Sequence, residues 1–102
     1  MAIALTARKL LTIISEAALE ETLIREIEAL GAHGYTITEA RGKGGRGKRD
    51  AAWAPHANIR LEVLCSEPTA LAICEGVRER YYANYSVIIY VSDVAIMRPE
   101  KF

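Results

Sequence analysis

The residues best suited to chemistry form a basic, glycine-rich run at positions 41–49. The run holds five of the thirteen lysines and arginines and four of the seven glycines, and no acidic residue occurs between Glu39 and Asp50. Glycines let backbone N–H groups turn toward an oxyanion at little steric cost, and lysine or arginine adds charge-assisted hydrogen bonds. This composition is typical of phosphate binding. A solvated loop whose charges only maintain solubility is the alternative that these residues leave open.

Standard nucleotide-binding motifs do not account for this run. The P-loop pattern Gly-x-x-x-x-Gly-Lys-Ser/Thr is absent from the sequence. Gly42, Gly44 and Gly47 spell Gly-x-Gly-x-x-Gly, but the dinucleotide-binding motif requires a helix directly after it, and residues 50–55 have the composition of a loop. We therefore treat this match as coincidental.

Groups for catalysis or metal binding are scattered along the chain. His33 and His56 are not spaced to share a metal ion, and neither forms a recognisable pair with a cysteine nucleophile. Cys65 and Cys74 have apolar neighbours, which predicts reduced thiols in a core rather than a disulfide. We expect a protein that is not an enzyme and requires no metal or cofactor.

The elements that position the loop follow from the periodicity of the apolar residues. Residues 9–15 predict a first strand that ends at Ser15, which we expect to cap the first helix. That helix carries one apolar stripe from Leu19 to Leu30 and ends at Gly31. Alternation of apolar and polar residues at positions 35–39 predicts a second strand.

The same order of elements returns after the loop. Residues 59–65 alternate as a third strand, and Ser66 with Pro68 signals the start of a second helix. We expect its buried stripe to consist of Leu71, Cys74, Val77 and Tyr81. The continuous apolar run at residues 87–91 predicts a central, buried fourth strand.

The order βαββαβ predicts an α+β, ferredoxin-like fold, in which a four-stranded antiparallel sheet carries both helices on one face. The first strand is apolar on both sides, with Leu10 and Ile14 on one and Leu11 and Ile13 on the other. The helices can cover only one of these sides, so we expect self-association through the other. Because one class of RNA-binding module shares this fold, an RNA-binding module with a basic loop is the alternative function.

Composition limits the partners of this 102-residue chain, whose length suits a single domain. Thirteen basic and thirteen acidic side chains give a net charge of zero, so no global field attracts nucleic acid or an acidic membrane. No apolar run approaches the length of a membrane span or of a secretion signal. We expect a cytoplasmic protein without membrane insertion.

Four short motifs resemble the PII signalling superfamily. They are Gly34-Tyr35-Thr36, Gly42-Lys43-Gly44, Asn58-Ile59-Arg60-Leu61-Glu62 and Ile88-Ile89-Tyr90. The similarity is closest to the PII-like branch associated with bicarbonate transport and carboxysomes. It implies one PII-like domain over residues 1–102, a homotrimer, adenine nucleotides in the clefts between subunits, and a long T-loop at about residues 42–57.

The resemblance also implies roles for individual residues. Gly34 and Thr36 would lie beside the adenine, and Glu62 would border the same cleft. The ribose and phosphates would meet the base of the loop through Gly42, Lys43, Gly44 and Arg46. Ser86, Val87 and Ile88 would also belong to the nucleotide site. In classical PII proteins this short segment before the last strand carries a glycine and a lysine that bind phosphate; this chain has neither there, which favours ADP or AMP over ATP.

The function implied by the resemblance is regulatory. Nucleotide occupancy would set the conformation of the T-loop and so control a partner, such as a bicarbonate transporter or a carboxysome-associated protein. Bicarbonate would bind beside the nucleotide through Arg60, Lys43 and Arg46. The loop contains Trp53 but no tyrosine, so we expect no uridylylation of the kind found in many PII proteins.

Overall fold

The computed structural model describes residues 2–44, 47–48 and 58–102. Its strands and helices are β1 (Thr6–Glu16), α1 (Glu20–Ala29), β2 (Thr36–Ala40), β3 (Lys43–Gly44), β4 (Gly47–Lys48), β5 (Asn58–Cys65), α2 (Glu67–Tyr81) and β6 (Ile88–Ile96). Single 3₁₀ turns precede α1 and follow β6, at Ala17–Leu19 and Pro99–Lys101. The long strands and the helices follow the predicted βαββαβ order.

The four long strands form one antiparallel sheet in the order β2-β5-β1-β6. Odd-numbered side chains of the central strands, such as Leu11 and Ile13 in β1 and Leu61 and Val63 in β5, are fully buried in one core with residues of both helices. Burial of each such side chain contributes about 1.5–3 kcal/mol to the hydrophobic stabilisation. The predicted ferredoxin-like fold is confirmed.

Even-numbered side chains of the strands lie on the opposite side of the sheet, which we call the open face. Strand pairing arranges them in rows across the sheet. One row contains Thr38, Arg60, Ile14 and Ile88, and the next row away from the loop contains Thr36, Glu62, Thr12 and Tyr90. Ile88 and Tyr90 are more than 40% exposed within the single chain, so the edge near β6 presents apolar surface to solvent.

The loop begins with a small β-ribbon rather than with irregular chain. β3 pairs with β4 in the antiparallel register Lys43↔Lys48 and Gly44↔Gly47. This ribbon is separate from the main sheet. It starts from the end of the sheet at which Ala40 of β2 pairs with Asn58 of β5.

The prediction of a central strand at residues 87–91 is wrong. β6 pairs with β1 and occupies an edge of the sheet. Its apolar run reflects two apolar sides, since Ile89 packs against the core while Ile88 and Tyr90 lie on the open face. The continuous apolar run therefore shows that both faces of the strand are apolar, and it does not show whether the strand is central or at an edge.

The predicted start of the first helix is also wrong. Ser15 pairs with Ile59 in the β1–β5 ladder and is fully buried, and its hydroxyl donates to the Glu16 carbonyl oxygen at 3.0 Å. β1 thus continues through Glu16, and α1 begins only after the 3₁₀ turn. The predicted end is confirmed. Gly31 has φ +114°, and the Ala32 N–H donates to the Ile27 carbonyl oxygen at 2.9 Å.

The second helix starts as predicted but buries a different stripe. The Thr69 N–H donates to the Ser66 hydroxyl oxygen at 3.4 Å, which caps α2. Leu71, expected in the core, is 59% exposed, and Cys74 is half-buried. The buried positions are Ala70, Ile73, Val77 and Tyr81. Val77 and Tyr81 are buried as predicted, while Ala70 and Ile73 take the places expected for Leu71 and Cys74.

A buried carboxylate joins the two helices. Glu26 of α1 is 8% exposed, and its Oε1 accepts a hydrogen bond from the Tyr81 hydroxyl at 3.2 Å. Its Oε2 lies 3.2 Å from Arg80 Nη1. Gly76 leaves room for this carboxylate, because a Cβ there would lie 2.8 Å from Glu26 Oε2. Charge-paired and hydrogen-bonded, Glu26 avoids much of the cost of burying an isolated ion.

We predict that Gly76→Ala lowers the free energy of unfolding by about 1–2 kcal/mol, as overpacking does elsewhere. In an open helical position the same change would stabilise by up to about 1 kcal/mol. Urea unfolding measures the difference. In a Glu26→Ala background the clash with the carboxylate is removed and only the 3.2 Å approach to Leu30 Cδ1 remains, so Gly76→Ala should cost less stability there. A stabilising effect with Glu26 in place would contradict the proposed contact.

The pKa of Tyr81 is raised by its burial and by the neighbouring Glu26 carboxylate. A raised pKa in the folded state means that the neutral phenol contributes stability below its unfolded pKa of about 10, and that this contribution is lost as the pH rises through the folded value. We predict that the stability difference between wild type and Tyr81→Phe shrinks above pH 10. Urea unfolding from pH 8 to pH 11 tests this.

Tyr82→Phe is the matched control, because Tyr82 is 48% exposed. Its unfolding free energy should follow that of the wild type across the same pH range. An equal pH dependence for the two variants would show that the Glu26 contact does not affect titration of Tyr81.

Candidate functional site

A cavity of about 730 Å³ opens on the open face, at the end of the sheet away from the loop. Four parts of the chain line it. They are residues 33–36, Leu10 of β1, Glu62 and Leu64 of β5, and Lys101 with Phe102. Its volume falls in the range of pockets that hold small organic ligands.

Local structure explains why these residues meet. The Gly31 turn ends α1 and directs the chain into residues 33–36, and strand pairing then sets Thr36 opposite Glu62. Leu10 and Leu64 are paired in the β1–β5 ladder, one row further from the loop. Because side chains alternate along strands, Thr36, Glu62 and both leucines lie on the open face.

The cavity combines an apolar surface with a polar side. Leu10, Leu64 and Phe102 supply the apolar groups, while the Thr36 hydroxyl and the Glu62 carboxylate supply a donor and acceptors. Such a lining suits a flat, mainly apolar ligand that has polar groups at its edge.

Glu62 also pairs with the cation next to it on the open face. Arg60 Nη2 lies 3.3 Å from Glu62 Oε2, with the two side chains 47% and 34% exposed. A pair this exposed contributes little to stability. It nevertheless partly neutralises Arg60, so an anion that binds Arg60 must share the guanidinium with Glu62.

The structure brings only some of the predicted site residues to the cavity. Gly34, Thr36 and Glu62 line it together, and Arg60 lies one row closer to the loop. Gly42 follows β2 and is exposed, and Lys43 and Gly44 form β3. Arg46 lies outside the described residues, as does most of the predicted T-loop (residues 45–46 and 49–57).

Ser86, Val87 and Ile88 do not line this cavity. They lie at the other edge of the sheet, where Val87 is 8% exposed in the core and Ile88 starts β6 opposite Ile14. Ile88 shares its row with Arg60, and Ser86 and Val87 directly precede Ile88, so the segment lies toward the loop end of the sheet. Within one chain, the predicted residues thus fall into a cavity group and a loop-end group.

Several lining residues were not predicted from the sequence, namely Leu10, His33, Tyr35, Leu64, Lys101 and Phe102. Leu10 and Leu64 could have been predicted from the alternation of side chains along the strands, because this alternation places both on the open face with Glu62. Nothing in the local sequence connects Lys101 or Phe102 with residues 33–36, because a contact between distant parts of the chain leaves no periodic signal.

Other chemistry finds little support in the part of the chain that the structure describes. It contains no group of three His, Cys, Asp or Glu residues able to hold a metal ion. Cys65 is buried and Cys74 is half-buried, both as free thiols, and burial raises the pKa of each thiol. Thiols with raised pKa values are poor nucleophiles at neutral pH.

Across residues 2–44, 47–48 and 58–102, neither helix has the length and apolar content needed to cross a membrane.

The RNA-binding alternative is not supported by the open face. Modules of that class stack bases on aromatic side chains of the sheet. Here the open-face residues of the central strands β1 and β5 include Leu10, Thr12, Ile14, Arg60 and Leu64, none of which is aromatic. The central strands therefore offer no aromatic side chain on which a base could stack.

Comparison with known proteins agrees with the fold and with the resemblance to the PII family. Residues 8–101 match the family described as Nitrogen regulatory protein P-II. A PII-like signalling protein from Thermus thermophilus has 47% sequence identity and a TM-score of 0.83, and the match covers 98% of this chain and 99% of that one.

CPII from Thiomonas intermedia is a nitrogen regulatory PII-like protein with 30% identity to this chain. Its structure with ADP and bicarbonate has a TM-score of 0.87 and covers 99% of both chains. Its structure with ADP, AMP and bicarbonate has a TM-score of 0.88, with 99% of this chain and 98% of CPII covered. Since the family match extends from residue 8 to residue 101, this chain belongs to the nitrogen regulatory protein P-II family and has PII-like signalling proteins among its relatives.

Proposed function

We propose that this protein is a PII-like signalling protein that binds ADP or AMP and converts nucleotide occupancy into a conformation of the loop at residues 42–57. The observation that carries the proposal is the cavity in which Gly34, Thr36 and Glu62 meet on the open face. Support also comes from CPII, which is 30% identical and has been solved with ADP, AMP and bicarbonate bound.

The direction of the strands suggests how a nucleotide lies. The cavity is at the row of Leu64, Arg60 lies four residues closer to the loop, and Asn58 marks the loop end. Each residue of a strand advances about 3.3 Å, so these rows extend over about 20 Å. A base in the cavity would therefore direct its ribose and phosphates past Arg60 toward Gly42, Lys43, Gly44 and Arg46.

The segment at Ser86, Val87 and Ile88 favours ADP or AMP over ATP. Phosphate groups bind well where glycine N–H groups and lysine side chains converge. Ser86, Val87 and Ile88 offer neither residue type at the loop end, and Val87 is directed into the core. Fewer contacts at that end reduce the benefit of a third phosphate.

The proposed assembly is a homotrimer with its nucleotide sites in clefts between subunits. One side of the sheet packs against both helices, whereas Ile88 and Tyr90 on the open face remain 44% and 42% exposed in the single chain. Burial of this surface between copies would provide the hydrophobic stabilisation that a chain of 102 residues gains from self-association.

Bicarbonate is the second proposed ligand, with Arg60, Lys43 and Arg46 as its cations. Arg60 lies in the row next to the cavity, so an anion there would be adjacent to the nucleotide. Since Glu62 neutralises part of the Arg60 charge, engagement of Glu62 by a nucleotide would leave the guanidinium more available to the anion.

Signalling of this kind requires no catalysis. A ligand shifts the loop only by its difference in affinity for the two loop conformations, and about 1.4 kcal/mol gives a tenfold shift in population. Phosphate contacts at Lys43 and Arg46 would supply that difference. The partner that reads the loop is proposed to be a bicarbonate transporter or a carboxysome-associated protein, and the site of action is proposed to be the cytoplasm.

We predict that the purified protein binds ADP and AMP more tightly than ATP in isothermal calorimetry. Thr36→Val should weaken ADP binding about fivefold, because one hydrogen bond contributes about 1 kcal/mol. Thr22→Val is the matched control, since Thr22 is exposed on α1, which packs on the other side of the sheet from the cavity. Its affinity for ADP should equal that of the wild type. Absence of heat with every adenine nucleotide would overturn the proposed function.

We predict that Glu62→Gln raises the affinity for bicarbonate about tenfold in the absence of nucleotide, because it frees Arg60 and removes a like charge from the anion site. Arg60→Gln should abolish this binding, and NMR titration with ¹³C-bicarbonate measures both changes. Asp93→Asn is the control, since it frees the cation Lys9 outside the cavity. An equal gain with Asp93→Asn would mean that charge alone, not the Arg60 site, determines bicarbonate binding.

A further inference from the structure

Thr12 is a polar residue in an apolar stretch of the central strand β1. Its neighbours along the chain are all apolar, namely Leu10, Leu11, Ile13 and Ile14. Thr12 is fully buried, and its Oγ1 has no hydrogen-bond partner among the residues that the structure describes. A buried hydroxyl without a partner costs free energy, because it has given up its hydrogen bonds to water. Valine has nearly the same shape and would avoid this cost, so the hydroxyl requires an explanation.

Strand pairing limits the side chains that can reach this hydroxyl across the sheet. On the open face Thr12 lies opposite Glu62 of β5 on one side and opposite Tyr90 of β6 on the other. Paired side chains of adjacent strands have Cβ atoms about 5 Å apart, a distance that the side chain of a glutamate spans. Hydrogen bonds to a carboxylate are stronger than those between neutral groups, so Glu62 is the better acceptor of the two.

The Glu62 carboxylate has a different partner in this structure. Its Oε2 lies 3.3 Å from Nη2 of Arg60, two residues back along β5. Both side chains of this pair are partly exposed, so the pair contributes little and its exchange for another contact costs little. Glu62 therefore lies between a cation on its own strand and an unpaired hydroxyl on the neighbouring strand.

We propose that Thr12 is a positioning residue for the anion site. When an anion binds Arg60, the Glu62 carboxylate turns away from the guanidinium and accepts a hydrogen bond from the Thr12 hydroxyl. This inference rests on the proposed function and deepens it, because it states where the displaced carboxylate goes. The movement takes a negative charge away from the anion and gives the buried hydroxyl a partner, so Thr12 raises the affinity for an anion that it does not touch.

NMR titration with ¹³C-bicarbonate, without nucleotide, tests the proposal on the full-length protein. Thr12→Val should weaken bicarbonate binding about tenfold, because the bound state loses a hydrogen bond to a charged group. Thr12→Ser keeps the hydroxyl and should restore binding close to that of the wild type. Thr22→Val is the matched control, since Thr22 is exposed on α1, and its affinity should equal that of the wild type.

Urea unfolding distinguishes positioning from a purely structural role. Without bicarbonate, Thr12→Val should be more stable than the wild type, because the substitution removes a buried hydroxyl that has no partner. A substitution that only damaged the sheet would lower stability and affinity together. A loss of stability in Thr12→Val would contradict the unpaired state of the hydroxyl, and the proposal with it.

A double-mutant cycle identifies the residue through which Thr12 acts. In a Glu62→Ala background Thr12→Val should no longer change the affinity for bicarbonate, because the carboxylate that it positions is gone. An undiminished loss in that background would overturn the proposal. Tyr90→Phe should bind bicarbonate as the wild type does, and a tenfold loss there would make Tyr90 the partner of Thr12 and overturn the role of Glu62.

The results also separate this inference from the proposed function. Wild-type affinity in Thr12→Val would overturn the inference and leave the proposed bicarbonate site in place. Failure of the wild type to bind bicarbonate would overturn that site, and the role of Thr12 with it. Calorimetry with ADP judges nucleotide binding independently of both.

Discussion

Alternation of side chains along β1 and β5 is the constraint on which the rest of the structure depends. Each central strand is buried on one side by both helices, so its odd-numbered residues, such as Leu11 and Leu61, must be apolar. A shift of register by one residue would exchange the two faces and expose the core. The same register therefore determines which side chains, including Thr36 and Glu62, share the open face.

Glu62 connects the two proposed ligands because it belongs to both the cavity and the ion pair with Arg60. The pair is partly exposed, so it adds little to the stability of the fold. Weak pairing suits a binding site, since either partner can exchange its contact for a ligand at low cost. Glu26 is different, because its buried carboxylate is held by Tyr81 and Arg80 between the helices and serves the packing of the scaffold.

Much of the fold could be predicted from the sequence, and the errors have physical causes. Gly31 and Ser66 mark helix boundaries correctly, because positive φ and side-chain capping are local requirements. Ser15 satisfies the same capping chemistry, yet pairing with β5 continues the strand past it. The apolar run at residues 87–91 shows that both faces of the strand carry apolar side chains. An edge strand can have two apolar faces just as a central strand can, so the run does not determine the position in the sheet.

By itself, the sequence determined the order of elements, the basic loop and the motifs of the PII family, because these depend on local composition and spacing. It also determined which side chains share a face, since alternation along a strand is a local property. Only the tertiary structure decided that Gly34, Thr36 and Glu62 meet in one cavity and that Phe102 reaches them from the opposite edge of the sheet. Contacts between distant segments depend on the packing of the whole chain, so no local pattern records them.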